Sequence, residues 1–153
     1  MRASTTAPRA RTGCDLQRID DVTDAIRDFG DRYLDRVYTP AEREAGRIGG
    51  PATLAARFAG KEAVLKLIGT ADGVDPREVE ITHAEGRPVV RLSGRAATLA
   101  ARAHLDQIDV SLSHSGDHAL AVAVALTHDP SHDPSHDSSH DSTDDSTEPR
   151  DQP

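Results

Sequence analysis

Apolar residues recur along this chain with two different periods, and each change of period marks a change of element. Ile19, Val22, Ile26, Phe29, Tyr33, Leu34 and Val37 follow spacings of three and four, which predicts an amphipathic helix weakened or bent at Gly30. Thr39, Pro40 and Glu42 then supply a cap, a first-turn proline and a carboxylate able to reach back to the cap. A short helix starts there. Gly49, Gly50 and Pro51 break it, and a longer Ala-rich helix carries Leu54, Phe58, Val64, Leu65 and Ile68 before stopping at Gly69.

Beyond Gly69 the period shortens to two. EVEIT at 78–82 and PVVRL at 88–92 read as the strands of a hairpin turned through Glu85 and Gly86, with Pro88 at a strand start or edge. Residues 94–104 are Ala-rich, with Leu99 at helical spacing. IDVSLS at 108–113 and HALAVAVAL at 118–126 alternate on either side of an SGD turn and predict a second hairpin. Helices and antiparallel strand pairs segregated along the chain indicate an α+β fold.

Three segments follow. Residues 1–12 are small, polar and proline-containing and are expected to be a flexible leader, with the domain spanning 13–127. Residues 128–153 repeat HDPS, HDPS, HDSS, HDST, DDST, with few apolar groups to offset ordering entropy, so a disordered acidic tail is expected.

Charge changes the picture only once the tail is set aside. The tail holds eight acidic residues against Arg150, so without it the net charge of −8 becomes −1. A nearly balanced domain gives no electrostatic reason to expect a nucleic acid partner. No apolar run approaches the roughly 18–20 residues that span a bilayer, so no membrane partner is expected. The single Cys14 excludes an intramolecular disulfide, and the first twelve residues lack the apolar stretch of a secretory signal. A cytoplasmic protein is expected. Four aromatics, Phe29, Tyr33, Tyr38 and Phe58, leave a core built from Ala, Val, Leu and Ile, and small cores of that kind often gain stability by oligomerising.

Three stretches combine a carboxylate or imidazole with a tight backbone. Asp15 follows Gly13 just ahead of the first helix, where a loop acid can be a cap, a solvated charge or a ligand. Glu62 and Lys66 stand at i and i+4, a standard surface pair. Gly60 beside Lys61 argues partly against that reading, because a helical glycine costs on the order of 1 kcal/mol and allows close approach by another chain or a ligand. Ser111, Ser113 and His114 lead into a turn, where His114 can be a turn histidine.

Together these stretches resemble one family. RFAGKEAVLK at 57–66 resembles the RFAxKEAxxK signature of the holo-acyl-carrier-protein synthases, the short type of 4'-phosphopantetheinyl transferase. GCDL at 13–16 is similar to their GxD element, and SLSH at 111–114 to their S-x-S-H strand end. YTPAE at 38–42, the Gly69 to Thr70 step and GRPVVRLSGRAATLA at 86–100 agree as well, so the likeness runs from about 13 to 126.

The resemblance implies the 4'-phosphopantetheinyl transferase fold, with antiparallel strands packed on a long helix. It implies transfer of phosphopantetheine from coenzyme A to a serine of an apo acyl carrier protein, releasing adenosine 3',5'-bisphosphate. By the same likeness Asp15 and Glu62 hold Mg2+ against the pyrophosphate, a ligand set that suits this ion. Lys61 and Lys66 are phosphate clamps, with Lys61 also counted as catalytic. Gly69, Ser113 and His114 belong to the coenzyme A site, His114 on the nucleotide side. The base that takes the serine proton is Glu62 or a water beside the metal. A homotrimer with coenzyme A between subunits is also implied.

Two charges depart from the family pattern. Arg18 stands where a Glu is typical and Asp21 where an Arg that helps dock the acidic carrier protein is typical, which points to a specialised carrier. ARAR at 9–12 lacks the apolar residues of the family's first strand, so that strand is expected to be shortened or shifted. A non-catalytic coenzyme A binding homologue is the alternative. A third reading gives function to the tail, where His128, His132, His136 and His140 could bind Zn2+, Ni2+ or Cu2+; Pro130 and Pro134 oppose the helix that would align them. His83, His104 and His118 have no motif around them and are expected to be surface or strand-end histidines. Cys14 is expected to be a small buried residue.

Overall fold

The computed structural model describes residues 9–127. The expectations for 1–8 and for the tail from His128, including its four-residue histidine spacing, lie outside the described residues.

The chain runs β1 (Arg9–Arg18), α1 (Ile19–Phe29), α2 (Asp31–Val37), α3 (Pro40–Ile68), a 3-10 turn (Pro76–Glu78), β2 (Val79–Ala84), β3 (Arg87–Leu92), α4 (Gly94–Arg102), β4 (Leu105–Ser115) and β5 (His118–Thr127). An antiparallel sheet in the order β1-β5-β4 covers one side of α3, and the β2-β3 hairpin forms a second small sheet. The α+β expectation holds.

Local chemistry explains the breaks. Gly30 adopts φ 55°, separating α1 from α2. Thr39 caps α3: its backbone N–H donates to Glu42 Oε2 at 2.9 Å while its hydroxyl accepts from the Glu42 N–H. Gly50, at φ 74° and ψ −171°, interrupts the helical backbone, and Pro51 restarts it. The long α3 is therefore two helices joined at a kink, as the Gly-Gly-Pro run predicts.

β1 corrects the sequence reading twice. Residues 9–12 are strand and not leader, and Gly13, Cys14 and Asp15 lie mid-strand and not in a loop. β1 pairs with β5 along its whole length, from Arg9 opposite Thr127 to Arg18 opposite His118. Its side facing α3 presents Arg11, Gly13, Asp15 and Gln17, so no apolar alternation announces it.

Small residues set the distance between helix and sheet. Ala59 and Ala63 of α3 are fully buried together with Ala121, Ala123 and Ala125 of β5 in one core cluster, joined by Val64, Leu67 and Val79. A second cluster gathers Val22, Val37, Tyr38 and Leu54 under α1 and α2. Alternation along β5 therefore runs opposite to simple expectation, with alanines inside and the larger residues outside. Leu120, Val122, Val124 and Leu126 are between 39% and 53% exposed, and Leu16 of β1 is exposed as well.

Candidate active site

Close packing of β1 on α3 creates the first chemical cluster. A β-carbon at Gly13 would collide with the Ala63 carbonyl oxygen and stand 2.7 Å from the Leu67 nitrogen. Glycine is required for that approach. Asp15, two positions on and on the same face, thereby reaches α3. Lys66 Nζ donates to Asp15 Oδ1 at 2.8 Å and to the Cys14 carbonyl at 3.1 Å. The lysine thus ties helix to strand, and among the described residues it makes no hydrogen bond to Glu62, so the simple surface pair is not what forms.

Glu62 is half-buried on the same flank. Burial raises its pKa above the ordinary glutamate range, the nearby Asp15 charge adds to the rise, and Lys66 partly offsets it. Lys66 moves upward too, chiefly through its bond to Asp15. Asp15 and Glu62 are two hard oxygen ligands, and a divalent cation would offset the charge that disfavours ionised Glu62. Among the described residues no group of three or more His, Cys, Asp and Glu side chains could hold a metal by itself. A pair of carboxylates suits Mg2+, which is commonly completed by phosphates and water. Cys14, expected to be buried, is exposed, because strand alternation turns it to the outer face.

Lys61 is a correction. Its side chain is 1% exposed, and its ammonium meets Glu42 Oε2 at 2.7 Å, the Val79 carbonyl at 2.6 Å and the Pro76 carbonyl at 3.0 Å. All three donors are used inside the protein. One residue along a helix turns a side chain by about 100°, so Lys61 points at the β2 hairpin and not at the carboxylates. Burial lowers its pKa, and Glu42 opposes that shift. Glu42 Oε1 accepts from the Ile81 N–H at 2.8 Å, and Thr39 Oγ1 donates to Glu80 at 2.7 Å. This network moors the hairpin to α3. Gly60 serves the same purpose, since a β-carbon there would strike the Ile81 side chain.

The moored hairpin borders a second cluster on the other flank of α3. A cleft of about 620 Å3 is lined by Thr53, Arg57, Thr82, His83, Ser113 and His114, among others. Arg57 is 5% exposed; its Nη1 donates to the Thr53 carbonyl at 3.1 Å, its Nη2 meets His83 Nδ1 at 3.2 Å, and its Nε has no partner. Burial pulls its pKa down, opposed chiefly by the charge of Glu42. A buried guanidinium short of partners, bonded to one imidazole in a cleft that a second also lines, is a place for an anion.

The expected site residues therefore fall into two groups. Asp15, Glu62 and Lys66 meet at the β1 edge of the sheet, while Ser113 and His114 line the same cleft as Arg57 at the β4 edge. Gly69 belongs to neither: at φ 99° it is the left-handed cap that ends α3. The sequence reading gave no role to Arg57 or His83. For His83 the available signal was period two, since it continues the face of Val79 and Ile81, both buried.

The profile of the 4'-phosphopantetheinyl transferase superfamily matches residues 11–123. The chain belongs to that superfamily. Within it, the chain is 45% identical over 118 residues to a holo-[acyl-carrier-protein] synthase of Desulforudis audaxviator, covering 74% of this chain and 90% of that one. Among solved transferase structures it resembles the holo-[acyl-carrier-protein] synthase of Neisseria meningitidis, with a TM-score of 0.68, 28% identity, and coverage of 75% of this chain and 96% of that one. It also resembles the Chronobacterium ammoniagenes synthase in complex with coenzyme A, with a TM-score of 0.66, 26% identity, and coverage of 79% and 98%. The fold that the sequence implies is thus the fold observed.

Proposed function

We propose that this chain transfers the 4'-phosphopantetheine group of coenzyme A to a serine of an apo acyl carrier protein, releasing adenosine 3',5'-bisphosphate. The observation that carries the reading is the meeting of Asp15, Glu62 and Lys66 across β1 and α3. A protein that only bound coenzyme A would have no need for a half-buried carboxylate held beside a second one.

Glu62 is the base of this reading. Its carboxylate, half-buried beside Asp15, accepts a proton from the serine hydroxyl as the serine oxygen attacks the phosphorus bearing pantetheine. The bond from that phosphorus to the departing nucleotide breaks. Lys66 is the mobile cation of this edge, exposed and able to shift from Asp15 to a phosphate oxygen. Mg2+ bound by Asp15 and Glu62 would polarise the transferred phosphate and offset charge on the leaving group. At the β4 edge, Arg57 and His114, with Ser113, take the phosphate monoester on the nucleotide side of coenzyme A.

The assembly in this reading is a homotrimer. Arg57 and Glu62 stand about 140° apart around α3, so the two groups open on different flanks of the helix. Coenzyme A held between the β1 edge of one copy and the β4 edge of the next would meet both. The exposed Leu and Val face of the sheet supports such contacts between copies. The enzyme is taken as cytoplasmic, with its one cysteine free; no helix among the described residues is long and apolar enough to cross a membrane.

The carrier protein is a specialised one. α1 exposes Asp20, Asp21, Asp24 and Asp28, with Arg27 tied between Asp24 at 2.7 Å and Asp28 at 3.0 Å. Such a face repels a strongly acidic partner. The test is intact mass of a panel of apo carrier proteins, acidic and neutral, incubated with this protein, coenzyme A and Mg2+. The expected result is a gain of one phosphopantetheine that EDTA abolishes, larger on the less acidic carriers. No gain on any carrier would refute transfer, and full activity on an ordinary acidic carrier would refute the specialised partner.

A further inference from the structure

His83 sits on the exposed end of β2 and meets a cation that few side chains would choose as a neighbour. Arg57 can only donate hydrogen bonds. His83 Nδ1, 3.2 Å from Nη2, is therefore the acceptor in this bond, and the ring's donating nitrogen is Nε2. The bond fixes two things together. It holds the guanidinium between His83 and the Thr53 carbonyl, and it gives the imidazole one donating nitrogen in a cleft that His114 and Ser113 also line. The Nε of Arg57 still lacks a partner, and among the described residues no carboxylate forms an ion pair with this guanidinium.

We infer that His83 is a positioning residue: by holding Arg57 it makes the β4-edge cleft selective for a co-substrate carrying a phosphate monoester over one that lacks it. This rests on the assignment of that cleft to the nucleotide end of coenzyme A. A monoester is close to dianionic at neutral pH and offers three acceptor oxygens, which match the spare N–H groups of the guanidinium that His83 holds. Anchorage of the hairpin by Glu42 and Lys61 keeps His83 in reach of Arg57.

The test compares binding of coenzyme A and 3'-dephospho-coenzyme A to the full chain by calorimetry in Mg2+, for the wild type, His83→Ala and His83→Asn, with turnover measured in parallel. Asparagine keeps an acceptor for Arg57, and because His83 is exposed both variants should keep the wild-type melting temperature. We expect His83→Ala to weaken coenzyme A binding about tenfold, to leave the dephospho compound unchanged, and to keep kcat within about twofold, with His83→Asn recovering most of the loss. Equal weakening of both ligands, or none, overturns the role of His83. A wild type that does not distinguish the two ligands overturns the cleft assignment with it. Binding needs no carrier protein, so absence of transfer would count against the proposed reaction while the ratio of the two dissociation constants still decides the role of His83.

Discussion

Half-buried beside Asp15, Glu62 loses solvation in the folded state that it keeps in the unfolded chain. A carboxyl whose pKa is raised on folding binds its proton more readily in the native state, so its contribution to stability is most favourable below the ordinary glutamate range and is lost as pH rises through the raised value. Glu62→Gln should therefore melt higher than the wild type at pH 7.5, with the difference closing near pH 4. Its transfer rate should fall by about 100-fold or more. A lower melting temperature at pH 7.5 would contradict the assigned pKa direction, and a retained rate would remove Glu62 from the chemistry. Lys61 obeys a different balance, because Glu42 and Lys61 are both almost fully buried and removing one strands the other. Lys61→Met should cost about 3–5 kcal/mol in urea unfolding, whereas replacing both charges with apolar residues should cost much less. Equal losses for the single and double variants would mean that the two charges are not coupled. Asp15, Glu62 and Lys66 came to notice through the family resemblance, and the fold brings them together at the β1 edge. The position of Lys61 was not legible in the sequence, since the partner that draws it away lies on the far side of the Gly50 kink.

Among the elements, those readable from periodicity were the ones with an apolar face. α1, the two parts of α3 and both hairpins appear where spacing and capping put them, down to the kink at Gly50 and the turn through Glu85 and Gly86, which both adopt positive φ. β1 escaped because its inward residues are an arginine, a glycine, an aspartate and a glutamine, a set with no hydrophobic signature. What holds it is backbone pairing to β5 and the absence of a side chain at Gly13. Gly13→Ala should lower stability by about 1–3 kcal/mol in urea unfolding and push Asp15 away from Glu62, reducing transfer as well. Wild-type stability in that variant would mean that β1 does not press on α3. β5 was recognised as a strand but its sense was hidden, because alternation fixes which residues share a face and leaves open which face is inside. Alanines are inside here because α3 passes close overhead.

For the molecule as a whole, that inversion leaves its larger aliphatic side chains on the outside of the sheet. Val122, in the middle of that face, is the place to test it. If the proposed trimer is built on this face, Val122→Glu should run as a monomer in light scattering while the wild type runs as a trimer. It should lose transfer while retaining a folded far-ultraviolet spectrum, because each site would be left with one edge only. A trimer that survives the glutamate would place the interface elsewhere.

The register of β1 on β5 also bears on how freely the chain order could be rewritten. Arg9 lies opposite Thr127, so the first and last described residues are about 5 Å apart. A circular permutant could join them through a short glycine-serine bridge and open new ends at the Glu85–Gly86 turn, keeping every strand with its present partner. Residues 9 and 127 would then be joined by an ordinary loop at one corner of the sheet. The order in which Asp15 and His114 occur along the chain is thus not fixed by the strand pairing.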